Sequence, residues 1–95
     1  MSRCVFLADY SITSLTGSSQ TLVGKDMSRS FITIQNTGNA NVGVNLVGGT
    51  AAIGGAATFT LVPNGSMTFN IDGVPGNAIT VIGTSGQSLE CVASP

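Results

Sequence analysis

Histidine and tryptophan are both missing from this 95-residue chain, and ionisable side chains are scarce: three basic and four acidic residues make up 7% of the total. Without histidine the sequence has lost the commonest general base, the Ser-His-Asp and Cys-His constellations and the commonest zinc ligand. The four carboxylates, Asp9, Asp26, Asp72 and Glu90, are scattered. They form no Asp-x-Asp pair or acidic cluster of the kind a calcium loop needs, and they read as solvated charges on turns and strand edges. Arg3, Lys25 and Arg29 cannot build the phosphate-neutralising patch of a nucleic-acid binder.

No apolar run approaches the roughly 20 residues of a membrane span. The opening Met1-Ser2-Arg3-Cys4-Val5-Phe6-Leu7-Ala8 is cut off by Asp9 before a secretory apolar segment develops, so the protein is expected to be made in the cytoplasm and used without export. Glycine is plentiful, but no stretch matches a phosphate-binding loop. Tyr10 and four phenylalanines are too few and too separated for an aromatic stacking platform. The expectation is a non-enzymatic protein with no cofactor and no metal.

The scarcity of charge also describes the surface. An average soluble domain is about 25% charged, and scattered charge together with net charge is what keeps a free monomer apart from its neighbours. A formal net charge of -1 and a positive mean hydropathy point to an exterior shared with other subunits. A chain of this length buries only about 60–65% of its unfolded surface on its own.

What is present is period-two alternation broken by turn residues, while the spacing of an amphipathic helix appears nowhere. Ser11 to Leu15 and Gln20 to Gly24 read as short strands around Thr16-Gly17-Ser18-Ser19. Ser30 to Gln35 and Val42 to Leu46 read as a hairpin across Asn36-Thr37-Gly38-Asn39, residues that tolerate left-handed backbone. The flexible segment Gly48 to Gly55 suits a crossover between sheets. Ala57 to Val62 and Met67 to Ile71 form the strongest hairpin signal, turning at Pro63-Asn64-Gly65, and Ile79 to Ile82 and Ser88 to Ala93 complete the set.

About seven or eight short antiparallel strands with turns every 8–12 residues predict an all-β fold, a single β-sandwich or jelly-roll domain over residues 1–95 with no significant helix. The predicted core is Ile32, Ile34, Val42, Val44, Leu46, Phe59, Leu61, Met67, Phe69, Ile71, Ile79, Val81, Leu89 and Cys91.

Two positions stand out as candidates for contact. Arg29 precedes the first well-formed strand, and no charged residue follows it until Asp72. The pair is a candidate interface or cross-strand ion pair, with Asp26 as an alternative partner; the plainer reading of Arg29 is an exposed strand-entry charge of little energetic weight. Cys4 and Cys91 lie near opposite ends of the sequence. A bridge between them would close a very long loop, but in a cytosolic setting two reduced thiols are expected.

The run Ser19-Gln20-Thr21-Leu22, then Arg29, Phe31-Ile32-Thr33-Ile34-Gln35-Asn36-Thr37-Gly38, Val42 to Val44, Gly48-Gly49-Thr50-Ala51, Leu61 through Ser66 and Gly76-Asn77-Ala78-Ile79 resembles the small capsid-associated proteins of tailed bacteriophages over most of residues 15–85. Pro63-Asn64-Gly65 departs from the usual Pro-Gly-Gly type of turn. The resemblance implies a jelly-roll decoration or cement protein on the capsid surface of a virion. Its partners would be the major capsid protein or other virion proteins, and it would act as a homo-oligomer, with a trimer favoured. The alternative is a head-fibre or tail-associated module that binds a receptor or glycan.

Overall fold

The computed structural model describes residues 6–70 and 73–94, and among them there is no helix. Eight strands follow in order: β1 (Ala8–Asp9), β2 (Gln20–Val23), β3 (Ile32–Asn36), β4 (Val42–Asn45), β5 (Thr58–Leu61), β6 (Ser66–Phe69), β7 (Ile79–Ile82) and β8 (Leu89–Ala93). They form two four-stranded antiparallel sheets, β1-β8-β3-β6 and β2-β7-β4-β5. This is the double-sheet arrangement of a jelly roll, as the alternation predicts.

The core lies between the sheets. Ile32 and Ile34 of β3, Leu89, Cys91 and Ala93 of β8, Val42 and Val44 of β4, and Ile79 and Val81 of β7 meet there with essentially no exposure, each large aliphatic side chain contributing roughly 1.5–3 kcal/mol. Leu46, Met67 and Phe69 pack against this cluster while staying partly open. Three buried members escape the alternation rule. Leu15 lies just outside any strand, and Leu22 and Val23 are both buried because the register of β2 shifts between Thr21 and Val23, turning consecutive side chains inward. Leu15 fits because Gly83 faces it: a Cβ on Gly83 would stand 2.7 Å from Leu15 Cδ1.

The connections invert the sequence reading. The segment predicted to begin as a strand at Ser30 and the one at Val42 do not form a hairpin, since β3 and β4 belong to different sheets; the same holds for β5 and β6. Both short turns are corners that carry the chain from one sheet to the other. The Gly48 to Gly55 segment, predicted as a crossover, lies within the loop of the hairpin between consecutive strands, β4 with β5. It folds back over the outer face of its own sheet. Asn45 Oδ1 accepts from the Val47 and Gly49 amides at 3.0 and 3.2 Å, Thr80 Oγ1 donates to Gly49 O at 2.6 Å, and the Ala51 amide donates to Ser19 Oγ at 2.9 Å. Gly43 has no side chain beneath this cover, where a Cβ would meet Thr58, Ile82 and Ile53. Strand β4 is therefore buried on both faces.

Asn36 ties two corners together. Its side chain is fully buried; Nδ2 donates to Ala40 O at 2.8 Å and to Leu61 O at 2.9 Å, while Oδ1 accepts from the Gly38 amide at 3.0 Å. Its main chain exchanges bonds with the second corner, Asn36 N to Gly65 O at 2.9 Å and Asn64 N to Asn36 O at 2.8 Å. One asparagine thus holds the β3–β4 corner against the β5–β6 corner and satisfies polar groups that water does not reach.

Candidate functional site

The ionisable residues do not converge. Asp9 accepts from the Ser11 amide at 2.9 Å, Asp26 accepts from the Ser28 amide and hydroxyl at 2.9 and 2.7 Å, and Glu90 accepts from Ser11 Oγ at 2.8 Å. These contacts hold the Asp9 and Asp26 carboxyls below the ordinary carboxylate value, the serine hydroxyl contributing most and the amide next. Among the described residues no group of three or more His, Cys, Asp or Glu side chains is placed to hold a metal ion.

Arg29 does not stand in open solvent. It is only 6% exposed, and its guanidinium donates to the carbonyls of Pro75 at 2.7 Å, Asn77 at 3.3 Å and Gly24 at 2.6 Å. A further main-chain bond, Asp26 N to Gly76 O at 2.9 Å, zips the same two loops, β2–β3 and β6–β7. The guanidinium forms part of the wall of a hollow shared with Tyr10, Lys25, Asp26 and Ser94. Arg29 is thus an internal clamp and not an exposed interface charge. Its proposed partner Asp72 and the predicted core residue Ile71 lie outside the described residues, as does Cys4.

Cys91 sits in the middle of β8 opposite Ile34, 1% exposed. Burial pushes its thiol from the ordinary value near 9 up to about 11, with smaller opposing effects of the Arg29 charge, downward, and the Asp9 charge, upward. A group whose folded-state pKa lies above its unfolded one contributes stability that is complete below the unfolded value and disappears as pH rises toward the folded value. Stability is expected to hold level from neutral pH to about 9 and then fall by about 2–3 kcal/mol by pH 11. Urea denaturation across that range checks it. Cys91→Ala should remove most of the alkaline decline, and the native thiol should resist alkylation until the protein unfolds.

The sheet edges differ from one flank to the other. On the first flank β1 is two residues long and carries Asp9, and β2 contains the register shift; brevity, charge and bulges are the devices that keep an edge strand from pairing with another chain. On the opposite flank, β5 (Thr-Phe-Thr-Leu) and β6 (Ser-Met-Thr-Phe) have none of them. Their ladders to β4 and β3 run in unbroken register. Neither strand holds a charge or a proline, and among the described residues no strand lies beside their outer hydrogen-bonding edges.

Phe59 belongs to this open flank. It pairs with Val44 and so points to the core side of its sheet, as the alternation predicts, yet it is 57% exposed. The correction has a simple cause: at an outer strand the opposing sheet ends, so an inward-pointing side chain is covered on one side only. Val62 is also exposed there, and Met67 and Phe69 of β6 are half-buried. Beside them the outer face of the β3 sheet presents Thr33, Gln35, Ser66 and Thr68, the two threonine hydroxyls 2.8 Å apart. Sequence reasoning finds these strands but not their position at an edge. The absence of any charge between Arg29 and Asp72 is the one signal of it.

No family model matches the chain, and no curated protein matches it. Among solved structures, a chain from work on Bacillus endospore appendages, described as a novel family of disulfide-linked pili, superposes with a TM-score of 0.54 at 16% sequence identity, covering 98% of this chain and 93% of the other. At that identity the likeness is one of fold.

Proposed function

We propose that this chain is a non-enzymatic building block of a repetitive protein assembly, joined to further copies through the β5/β6 flank. The observation that carries the reading is the pair of unprotected edges: two adjacent uncharged strands in regular register, with half-open apolar side chains between them, form a template for strand addition. The low charge of the whole chain removes the repulsion that would oppose crowding of many identical copies. The fold likeness to a pilus subunit favours a filament of the appendage kind.

Two cysteines, Cys4 and Cys91, are enough to link every copy covalently to two others. A bond at Cys91 would require β8 to open.

The second reading is the virion decoration or cement protein that the sequence resemblance implies. It needs the same flank, with a capsid subunit in place of another copy, and a protein that binds only an assembled shell stabilises that shell by mass action.

Lysine substitution at the open edges separates assembly from folding. Thr60→Lys on β5 and Ser66→Lys on β6 place a charge at exposed positions. Both variants should keep the melting temperature within a few degrees. In electron micrographs and sedimentation they should fail to form the polymers that the unaltered protein forms on concentration. Polymers of unchanged abundance in both variants would sink the flank assignment. An unaltered protein that stays monomeric alone yet coats phage heads would favour the virion reading.

A further inference from the structure

Seven asparagines occur in the chain, and only Asn64 is followed by glycine. Asn36 and Asn45 are buried with their amides engaged, whereas Asn64 is exposed at the β5–β6 corner. The fold itself demands this dipeptide. Asn64 has φ +66°, a left-handed conformation that asparagine accepts more readily than most residues, and a Cβ at Gly65 would stand 2.9 Å from Val62 O.

From this we infer that Asn64-Gly65 is a site of spontaneous deamidation, independent of the assembly reading. The Gly65 nitrogen, unhindered because its residue has no side chain, gives up its proton and attacks Asn64 Cγ. A new N–Cγ bond closes a five-membered succinimide as the Cγ–Nδ2 bond breaks and ammonia leaves. Water then adds to one of the two ring carbonyls and opens the ring to aspartate or isoaspartate, with no change of oxidation state. In the folded protein the Gly65 amide donates to Val62 O at 2.8 Å, so reaction follows local opening of the turn, an inexpensive event for an exposed corner.

The product matters because of where it stands. Isoaspartate lengthens the main chain by one atom between the Asn64 amide and the Gly65 carbonyl, the two groups that bond the main chain of Asn36. The formal charge doubles from -1 to -2, and the new carboxylate lies on the connection between β5 and β6.

The test is prolonged incubation of the purified protein at mildly alkaline pH, followed by peptide mapping and isoaspartyl-specific methyl labelling. The peptide holding Asn64 should gain about 1 Da, at a rate roughly tenfold or more above any other asparagine, since none of the others precedes a glycine. Asn64→Gly, which takes the same left-handed backbone without strain, should fold normally and lose the signal. The inference fails if folded protein keeps Asn64 intact while a urea-unfolded control converts, or if another asparagine converts first.

Discussion

Arg29→Met is expected to lower the unfolding free energy by about 3 kcal/mol, since hydrogen bonds from a charged donor contribute about 1.5–3 kcal/mol each and the freed carbonyls are only partly rehydrated. For a domain of this size that corresponds to a melting temperature lower by roughly 12–24 °C. The side chain donates to Gly24, Pro75 and Asn77, carbonyls of the two loops that lie beyond the ends of the β2–β7 and β3–β6 ladders. Methionine keeps most of the volume of the arginine stem, so the loss reports the guanidinium. Arg29→Lys should recover only part of it, because one ammonium cannot span three carbonyls with the planar fork of arginine. Calorimetry of the three proteins decides the matter. If Arg29→Met melts with the unaltered protein, the clamp has no energetic weight and Arg29 is free for an external role.

Asn36→Ala should cost a comparable amount, about 3 kcal/mol, for a different reason. Here the loss comes from stranding the buried Leu61 carbonyl and the partly buried Ala40 carbonyl, at about 1–3 kcal/mol per unsatisfied group, together with a small void. Asn36→Asp retains the acceptor for Gly38 but replaces the donor to both carbonyls with a charge in a dry position, and should be at least as damaging. Chemical denaturation measures both. Because Asn36 joins the two corners, its loss should also raise proteolytic cleavage at residues 62–65, which would distinguish it from Arg29→Met at the other end of the sandwich.

Much of the architecture can be read in the residues. Alternation in Ile32-Thr33-Ile34, Val42-Gly43-Val44 and Leu89-Glu90-Cys91 locates strands and their inward faces, and the structure bears this out at each of them. Alternation carries no information about which sheet a strand joins. Asn36-Thr37-Gly38-Asn39 and Pro63-Asn64-Gly65 have the composition of hairpin turns, yet each spans the gap between sheets, and the long glycine-rich segment serves the true hairpin. Turn chemistry follows local backbone angles, while the choice of partner depends on how all eight strands close around one core. Phe59 illustrates the same limit: its direction is encoded locally, but its exposure depends on where the opposing sheet stops.

Arg29 shows what a sequence pattern leaves out. Its isolation in sequence suggested either a partner carboxylate or open solvent. Among the described residues its partners are main-chain carbonyls, groups that every residue possesses and that no side-chain pattern reveals. The edge strands β5 and β6 were legible as strands, and their vulnerability followed from the long uncharged interval only once the sheet order was known.

The loop that covers β4 makes the two broad sides of the molecule unequal. Thr80, Asn45 and Ser19 fasten it over one sheet, leaving the threonine-rich side of the other bare. Broadside stacking through the bare side would stop at two layers, since each partner then turns its blanketed side outward. Pairing of one β5/β6 flank with its copy would close in the same way, because β1 and β2 shield the other flank, so an open-ended array of such particles needs a contact between two unlike surfaces.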